Sequence, residues 1–261
     1  MEKRSSLCIA KSVAFALILR EVRGRIGAKR MGAFWFVFEP LAHVLVMTAI
    51  MTVIRHRTAQ GMEFPVFLVT GLVPFLLFKN IALRGMSAIE ANQGLFAYRQ
   101  IKPFDCILAR LVVEFLMMAC VYLVMIFSLG YWGDYDISVH RPLYWLAMIG
   151  TGLVLSFSLA LIFAALVEAV PEIKAFIRVM FIPLYLLSGV IIPIWMLPEA
   201  ALKYLSWNPF FHLVDVIRQG VFAHYPVTTE VSITYLLAFT LISLSSGLLI
   251  YRGRHRQLVA L

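Results

Sequence analysis

The sequence predicts an all-α polytopic membrane protein. Six transmembrane helices are expected, preceded by an N-terminal amphipathic helix at the interface. A short cytoplasmic helical segment follows the second span, and short re-entrant helices precede the sixth. Three observations carry this. Residues 34–54, 64–83, 107–129, 143–167, 176–194 and 231–251 are apolar runs of about 20 residues, enough for a helix to cross roughly 30 Å of hydrocarbon. The 261-residue chain is 62% hydrophobic and only 14% charged, against about 25% charged in soluble domains; its mean hydropathy is +0.88. The basic residues, finally, collect in alternate connections.

Residues 1–32 carry Lys3, Arg4, Lys11, Arg20, Arg23, Arg25, Lys29 and Arg30. The second connection and its flanks add Lys79, Arg84, Arg99, Lys102 and Arg110; the fourth adds Lys174 and Arg178; the tail adds Arg252, Arg254 and Arg256. Of 23 Lys and Arg residues, only Arg55, Arg57, Arg141, Lys203 and Arg218 fall on the opposite side. Basic residues stay in the cytoplasm. Both termini are therefore expected there, as an even number of spans requires.

The elements follow in order. Residues 8–26 alternate Phe15, Leu19, Val22 and Ile26 with Lys11, Arg20, Arg23 and Arg25 at helical spacing. Such a helix lies in the interface, with Arg20, Arg23 and Arg25 as anchors to anionic headgroups. Gly24, Gly27 and Gly32 loosen the turn into the membrane. The first span holds Glu39-Pro40; a carboxylate at that depth must face protein, water or a headgroup, and Arg30 is one candidate partner. Pro40 should bend the helix. Residues 85–104 between the second and third spans carry Leu95, Phe96, Tyr98 and Ile101, too apolar for a bare cytoplasmic loop, so a partner is expected to cover them.

The third and fourth spans are plain. Cys120 is expected to pack inside the third. Tyr131, Trp132 and Tyr135 read as an outer interfacial belt, and Glu168 and Glu172 as cytoplasmic groups open to a partner. After residue 187 the chain turns irregular. Residues 198–206 and 210–219 are apolar but too short to span, and read as re-entrant or interfacial helices. Pro198 suits a first helical position, and Asn208-Pro209 breaks the chain between the two pieces.

Several function classes are excluded or disfavoured. No stretch is long enough for a soluble domain of about 50 residues or more, and no soluble basic module points to nucleic acid. No cleavable signal pattern follows residues 12–19. Residues 24–30 are glycine-rich and basic but lack phosphate-loop spacing, and Glu39 with His43 does not match a zinc-protease motif. Cys8, Cys106 and Cys120 form neither a metal-ligand nor a disulfide pattern. No catalytic cluster stands out, and neither metal nor cofactor is expected in this chain. Aromatic rings bunch near the membrane ends, where they serve either as lipid belts or as stacking faces for a sugar chain.

The pattern Ser188-Gly189-x-x-x-Pro193, Pro198, Asn208-Pro209-x-x-His212-x-x-x-x-x-Arg218 resembles the C-terminal signature of ABC-2 type transporter permeases. The N-terminal basic helix, the entry segment Trp35-x-x-x-Glu39-Pro40 and the hairpin after the second span add to the likeness, which covers essentially the whole chain. Within that group the chain most resembles capsular polysaccharide export permeases, relatives of the O-antigen and teichoic acid exporters. The resemblance implies the ABC-2 (type V exporter) fold as one transmembrane domain over 1–261: an interfacial segment 1–32, a six-span core 33–251 and a cytoplasmic tail 252–261. It implies a homodimer in the bacterial inner membrane with two copies of a separate ATPase, which binds ATP and Mg. Periplasmic and outer-membrane export proteins would receive a lipid-linked polysaccharide.

The same resemblance makes 85–104 the coupling helix, with Glu90, Asn92, Gly94, Leu95, Phe96 and Tyr98 contacting the ATPase. Trp35, Phe38, Glu39, Phe67, Tyr185, Trp195, Tyr204, Trp207, Phe211 and Arg218 are candidates for the substrate path. O-antigen or another glycan, a small lipid or a drug remain alternative cargoes. A membrane enzyme or a non-transporting scaffold are the alternatives outside transport.

Overall fold

A computed structural model describes residues 6–26, 32–54, 62–98 and 100–259. The described chain forms α1 (Ser6–Ile26), α2 (Gly32–Ile54), α3 (Phe64–Met86), α4 (Pro103–Gly133), α5 (Pro142–Ala169), α6 (Ile173–Leu187), α7 (Glu199–Leu205), α8 (Pro209–Val221) and α9 (Ile233–Val259). Two 3-10 helices, Glu90–Leu95 and Ile194–Met196, sit in the connections. Among the described residues, α3, α4, α5 and the Ile233–Arg254 part of α9 are long and apolar enough to cross a bilayer. Helix α2 runs 23 residues through Pro40.

Local residues set the helix boundaries. Within the apolar run 176–194 the chain turns irregular after residue 187 as expected: α6 begins at Ile173 and ends at Leu187 after 15 residues, about 22 Å of rise. Ser188 and Gly189 end it: Gly189 has φ +70, a left-handed conformation that costs other residues. Pro103 opens α4 as its first residue, and the Lys102 N–H donates to the Asp105 carboxylate at 3.1 Å. Pro198 caps α7 from outside the helix. Asn208-Pro209 breaks the chain as expected; the Asn208 side chain accepts from the Phe210 N–H at 3.0 Å, and Pro209 starts α8.

Helix α3 is the centre of the bundle. Its apolar window is 83% buried, against 33%, 44% and 22% for α4, α5 and α9. Helices α2, α4, α5, α6 and α8 pack around it, α9 lies along α5, and α1 lies against α4 and α2. Helices α3, α5 and α9 run in one direction and α4 in the other, and their ends define two distinct ends of the bundle.

At one end Leu17 of α1, Ile89, Phe96, Cys106 and Phe157 share a core, with Tyr251 of α9 packed against it. This is the basic end, and it carries both α1 and the C-terminal part of α9. At the other end Phe64, Phe67 and Tyr225 pack with Trp195 and Phe222. We call it the aromatic end. Cys106 is the buried cysteine; Cys120, expected inside, lies on the outer face of α4.

Candidate functional site

The segment between α3 and α4 is a 3-10 turn followed by loose turns, not a regular helix. Its residues divide by direction. Asn92 and Phe96 point inward: the Asn92 amide donates to the Ala88 carbonyl at 2.7 Å, and Phe96 is 7% exposed in the basic-end core. Glu90, Gly94 and Tyr98 face outward, and Leu95 is half-buried. Glu90 forms an ion pair with Lys174 of α6, and this pair holds the Glu90 carboxyl below its ordinary pKa. A groove of about 540 Å³ separates α1 from this segment, with Ser12, Leu17, Arg20, Leu95, Tyr98 and Ile101 among its walls.

The three expected headgroup anchors do three different things. Arg23 is exposed. Arg20 donates to the Asn92 side-chain oxygen, tying α1 to the 3-10 turn. Arg25 turns inward, with 12% of its side chain exposed, and meets Glu114 at 2.6 Å and Glu21 at 2.8 Å. The reason is Glu114 itself: it sits in the third apolar run with 0% exposure, and a buried carboxylate draws whatever cation can reach it.

Arg84, at the end of α3, reaches the same carboxylate at 3.2 Å. Arg110 pairs with Glu21 at 3.3 Å and donates to the Arg84 carbonyl and, at 3.2 Å, to the Ser87 hydroxyl. Burial pushes the Glu21 carboxyl up, but Arg110 and Arg25 outweigh it and hold it below its ordinary pKa. Sequence reasoning counted Arg84 and Arg110 only as topology charges and passed over Glu21 and Glu114. The signal was available: Glu114 is an ionisable residue inside a span, which marks a functional position by default. At the same end Glu168, expected open to a partner, pairs with Arg254 at 2.7 Å, while Glu172 is exposed.

The ten candidate path residues do not share one surface. Trp35 and Phe38 are exposed on α2 beside Phe34. The Glu39 side chain lies outside the described residues, as do Arg30, Arg55 and Arg57. Tyr204 and Trp207 are exposed on and after α7. Phe67, Phe211 and Arg218 are packed inside, while Tyr185 and Trp195 are half-buried against Phe75 and Phe67.

Arg218 is the organising residue of the aromatic end. It is 0% exposed and donates to the carbonyls of Phe67 at 3.2 Å, Gly189 at 2.6 Å and Val190 at 2.7 Å. Its guanidinium lies 3.6 Å above the centre of the Phe67 ring, a cation–π contact. Gly71 leaves the room: a Cβ there would come within 2.1 Å of the guanidinium. One turn before Arg218, the Asp215 carboxylate accepts from the Tyr225 hydroxyl at 2.5 Å and the Gln219 amide at 2.9 Å. His212 bridges the Ser206 carbonyl at 2.7 Å and the Ser232 N–H at 3.2 Å, joining α7 to α9. Beside this cluster a cavity of about 340 Å³ is lined in part by Glu63, Asp136, His140, Phe222 and His224.

This architecture has relatives. The sequence model of the ABC-2 type transporter matches residues 13–222, from α1 through the end of α8. The chain belongs to the ABC-2 type transporter family. It is 38% identical to the polysialic acid transport protein KpsM of Escherichia coli over 259 residues, covering 98% of each chain. It is 30% identical to the capsule polysaccharide export inner-membrane protein CtrC of Neisseria meningitidis, covering 93% and 91% of the two chains. It is 26% identical to the capsule polysaccharide export inner-membrane protein BexB of Haemophilus influenzae, covering 96% and 94%. The chain is thus a multi-pass inner-membrane permease of the ABC-2 type. The family match includes Glu21, Arg25, Arg84, Arg110 and Glu114 at the basic end and Arg218 at the aromatic end.

Proposed function

We propose that this permease is the transmembrane subunit of an exporter that moves lipid-linked capsular polysaccharide across the bacterial inner membrane. Two copies form the translocation unit and two copies of a separate ATPase power it. ATP and Mg bind in that partner. The observation that carries the reading is the end-to-end similarity to KpsM, 38% identity with 98% of both chains covered. In this reading the basic end faces the cytoplasm, α2 and α6 complete six crossings, and the segment following Leu187 up to α9 shapes the outer mouth. Export proteins of the periplasm and outer membrane take up the glycan there.

The geometry supports a mechanical step. Glu90, Gly94 and Tyr98 present the outward face of a turn whose two flanks are the ends of α3 and α4. A push on that face by an ATPase that has bound nucleotide is delivered to the central helix and its neighbour. Nucleotide binding thereby shifts the equilibrium between closed and open arrangements of the dimer. The test is reconstitution of the permease with its ATPase in proteoliposomes, read as ATP hydrolysis stimulated by lipid-linked capsular polysaccharide and as movement of labelled glycan. Stimulation by the glycan supports the proposal. Equal or greater stimulation by a neutral O-antigen or by small amphiphiles, or transport by the permease alone, overturns it.

A further inference from the structure

The charges at the basic end do more than anchor. A helix held only by lipid keeps its basic residues toward the headgroups. Here α1 instead sends Arg25 inward to Glu114, a carboxylate with 0% exposure. Arg84 brings the last turn of α3 to the same carboxylate, and Arg110 of α4 reaches back to Glu21 of α1 and to the Arg84 carbonyl. Arg20 closes the circuit by holding Asn92 inside the 3-10 turn. One buried acid therefore joins three helices around the segment that faces outward.

Buried ion pairs contribute little net stability, because desolvation offsets most of the attraction, but they fix geometry: each charge is tolerated only where its partners stand. Glu114 is too deep to be solvated by water, and both its guanidinium partners come from other helices. Such an arrangement specifies the register of α1 and α3 against α4.

We infer that Glu114 is a positioning residue that makes α1, the end of α3, the 3-10 turn and the start of α4 move as one lever. The inference rests on the proposed power stroke and adds α1 to the moving part. With Glu114 neutral, Arg25 and Arg110 still face Glu21, while the end of α3 loses the carboxylate that Arg84 reaches in α4. The turn is then free to yield under the ATPase without carrying α4 with it.

The test uses the complete permease–ATPase complex in proteoliposomes. Glu114→Gln should assemble with the ATPase and hydrolyse ATP at the basal rate, while glycan moved per ATP falls about tenfold or more, in the range of typical coupling free energies. Wild-type coupling in this variant overturns the inference. If Glu114→Gln does not assemble, a second variant decides. Glu21→Cys with Arg110→Cys, in a background with Cys8, Cys106 and Cys120 replaced by Ser, breaks the circuit and is then closed by a short bismaleimide. Recovery of export on cross-linking supports a single lever; export unchanged or further reduced overturns it. A wild-type complex whose ATPase ignores glycan would defeat the proposed function instead, so the two failures are distinguishable.

Discussion

The two ends of this bundle solve the same problem with different chemistry. Each must hold several helix ends together around buried charge. The basic end uses carboxylate–guanidinium pairs between helices: Arg25 and Arg84 on Glu114, Arg110 on Glu21, Arg254 on Glu168. The aromatic end uses one arginine without a salt bridge among the described residues; Arg218 spends its donors on three main-chain carbonyls and lays its face on Phe67. Main-chain carbonyls are fixed by their own helices and turns, so the Arg218 arrangement has one geometry. The side-chain pairs instead tie helix to helix, so that the joined helices can move as a unit. Under the proposed function, the difference suits one end that stays shaped while cargo leaves and another that is driven.

The largest effect should come from breaking the rigid end. Arg218→Ala strands three carbonyl acceptors and opens a void beside Gly71, at a cost of about 3 to 5 kcal/mol. Arg218→Lys should not rescue it, because an ammonium cannot reproduce the planar fork or the stacked contact. Thermal unfolding in detergent reads both. A wild-type transition temperature for either variant would show that the aromatic end is held by its apolar packing alone.

Next comes a pair of substitutions that separates folding from docking at the driven end. Phe96→Glu places a carboxylate in the core formed with Leu17, Ile89 and Phe157, and should lower stability by about 3 kcal/mol or more. Tyr98→Glu changes a side chain that is 65% exposed, so stability should stay within about 0.5 kcal/mol. Its effect should appear instead as lost co-purification with the ATPase. Sharp loss of binding in Tyr98→Glu with unchanged unfolding sharpens the comparison; unchanged binding moves the contact surface elsewhere.

Much of the bundle could be read from the chain, and the unread parts share a cause. Apolar run length gave α3, α4, α5 and α9, and Asn208-Pro209 gave the start of α8. Yet nothing in hydropathy marked α3 as the central helix, because lipid-facing and protein-facing surfaces are equally apolar in a membrane. Arg218 was counted to the correct side of the bundle but not to its depth; counting charges assigns a side and says nothing of burial. Arg25 was placed facing headgroups because its partner, Glu114, lies 89 residues on in another helix. Local periodicity cannot show such a pair, whereas a lone acid in a span could have prompted the search for one. Phe96 and Tyr98 looked alike as exposed aromatics of one loop until packing separated them.

A smaller effect tests the Asp215 support beside Arg218. Tyr225→Phe removes the hydroxyl that donates to Asp215 at 2.5 Å and leaves a buried acceptor short of one donor, costing about 1 to 3 kcal/mol. The loss should show as a lower unfolding temperature with the Arg218 contacts intact. Stability equal to wild type would mean that Gln219 alone satisfies Asp215.

The smallest effect distinguishes the ends by pH. Glu21 has its folded pKa lowered by Arg110 and Arg25 against the opposing pull of burial. A lowered carboxylate pKa contributes stability that is complete above the ordinary carboxylate value and is lost as pH falls through the depressed one. Acidification into the carboxylate range should therefore loosen α1 from α4, seen as faster hydrogen exchange at the end of α1, whereas the aromatic end responds at higher pH through His212, whose pKa burial lowers. Arg218 bonds to neutral carbonyls, which have no proton to gain over that range. Glu21→Gln should abolish this pH dependence at the basic end and leave exchange around Arg218 unchanged. If both ends loosen together on acidification, the division into an end held by ion pairs and an end held by neutral carbonyls does not hold.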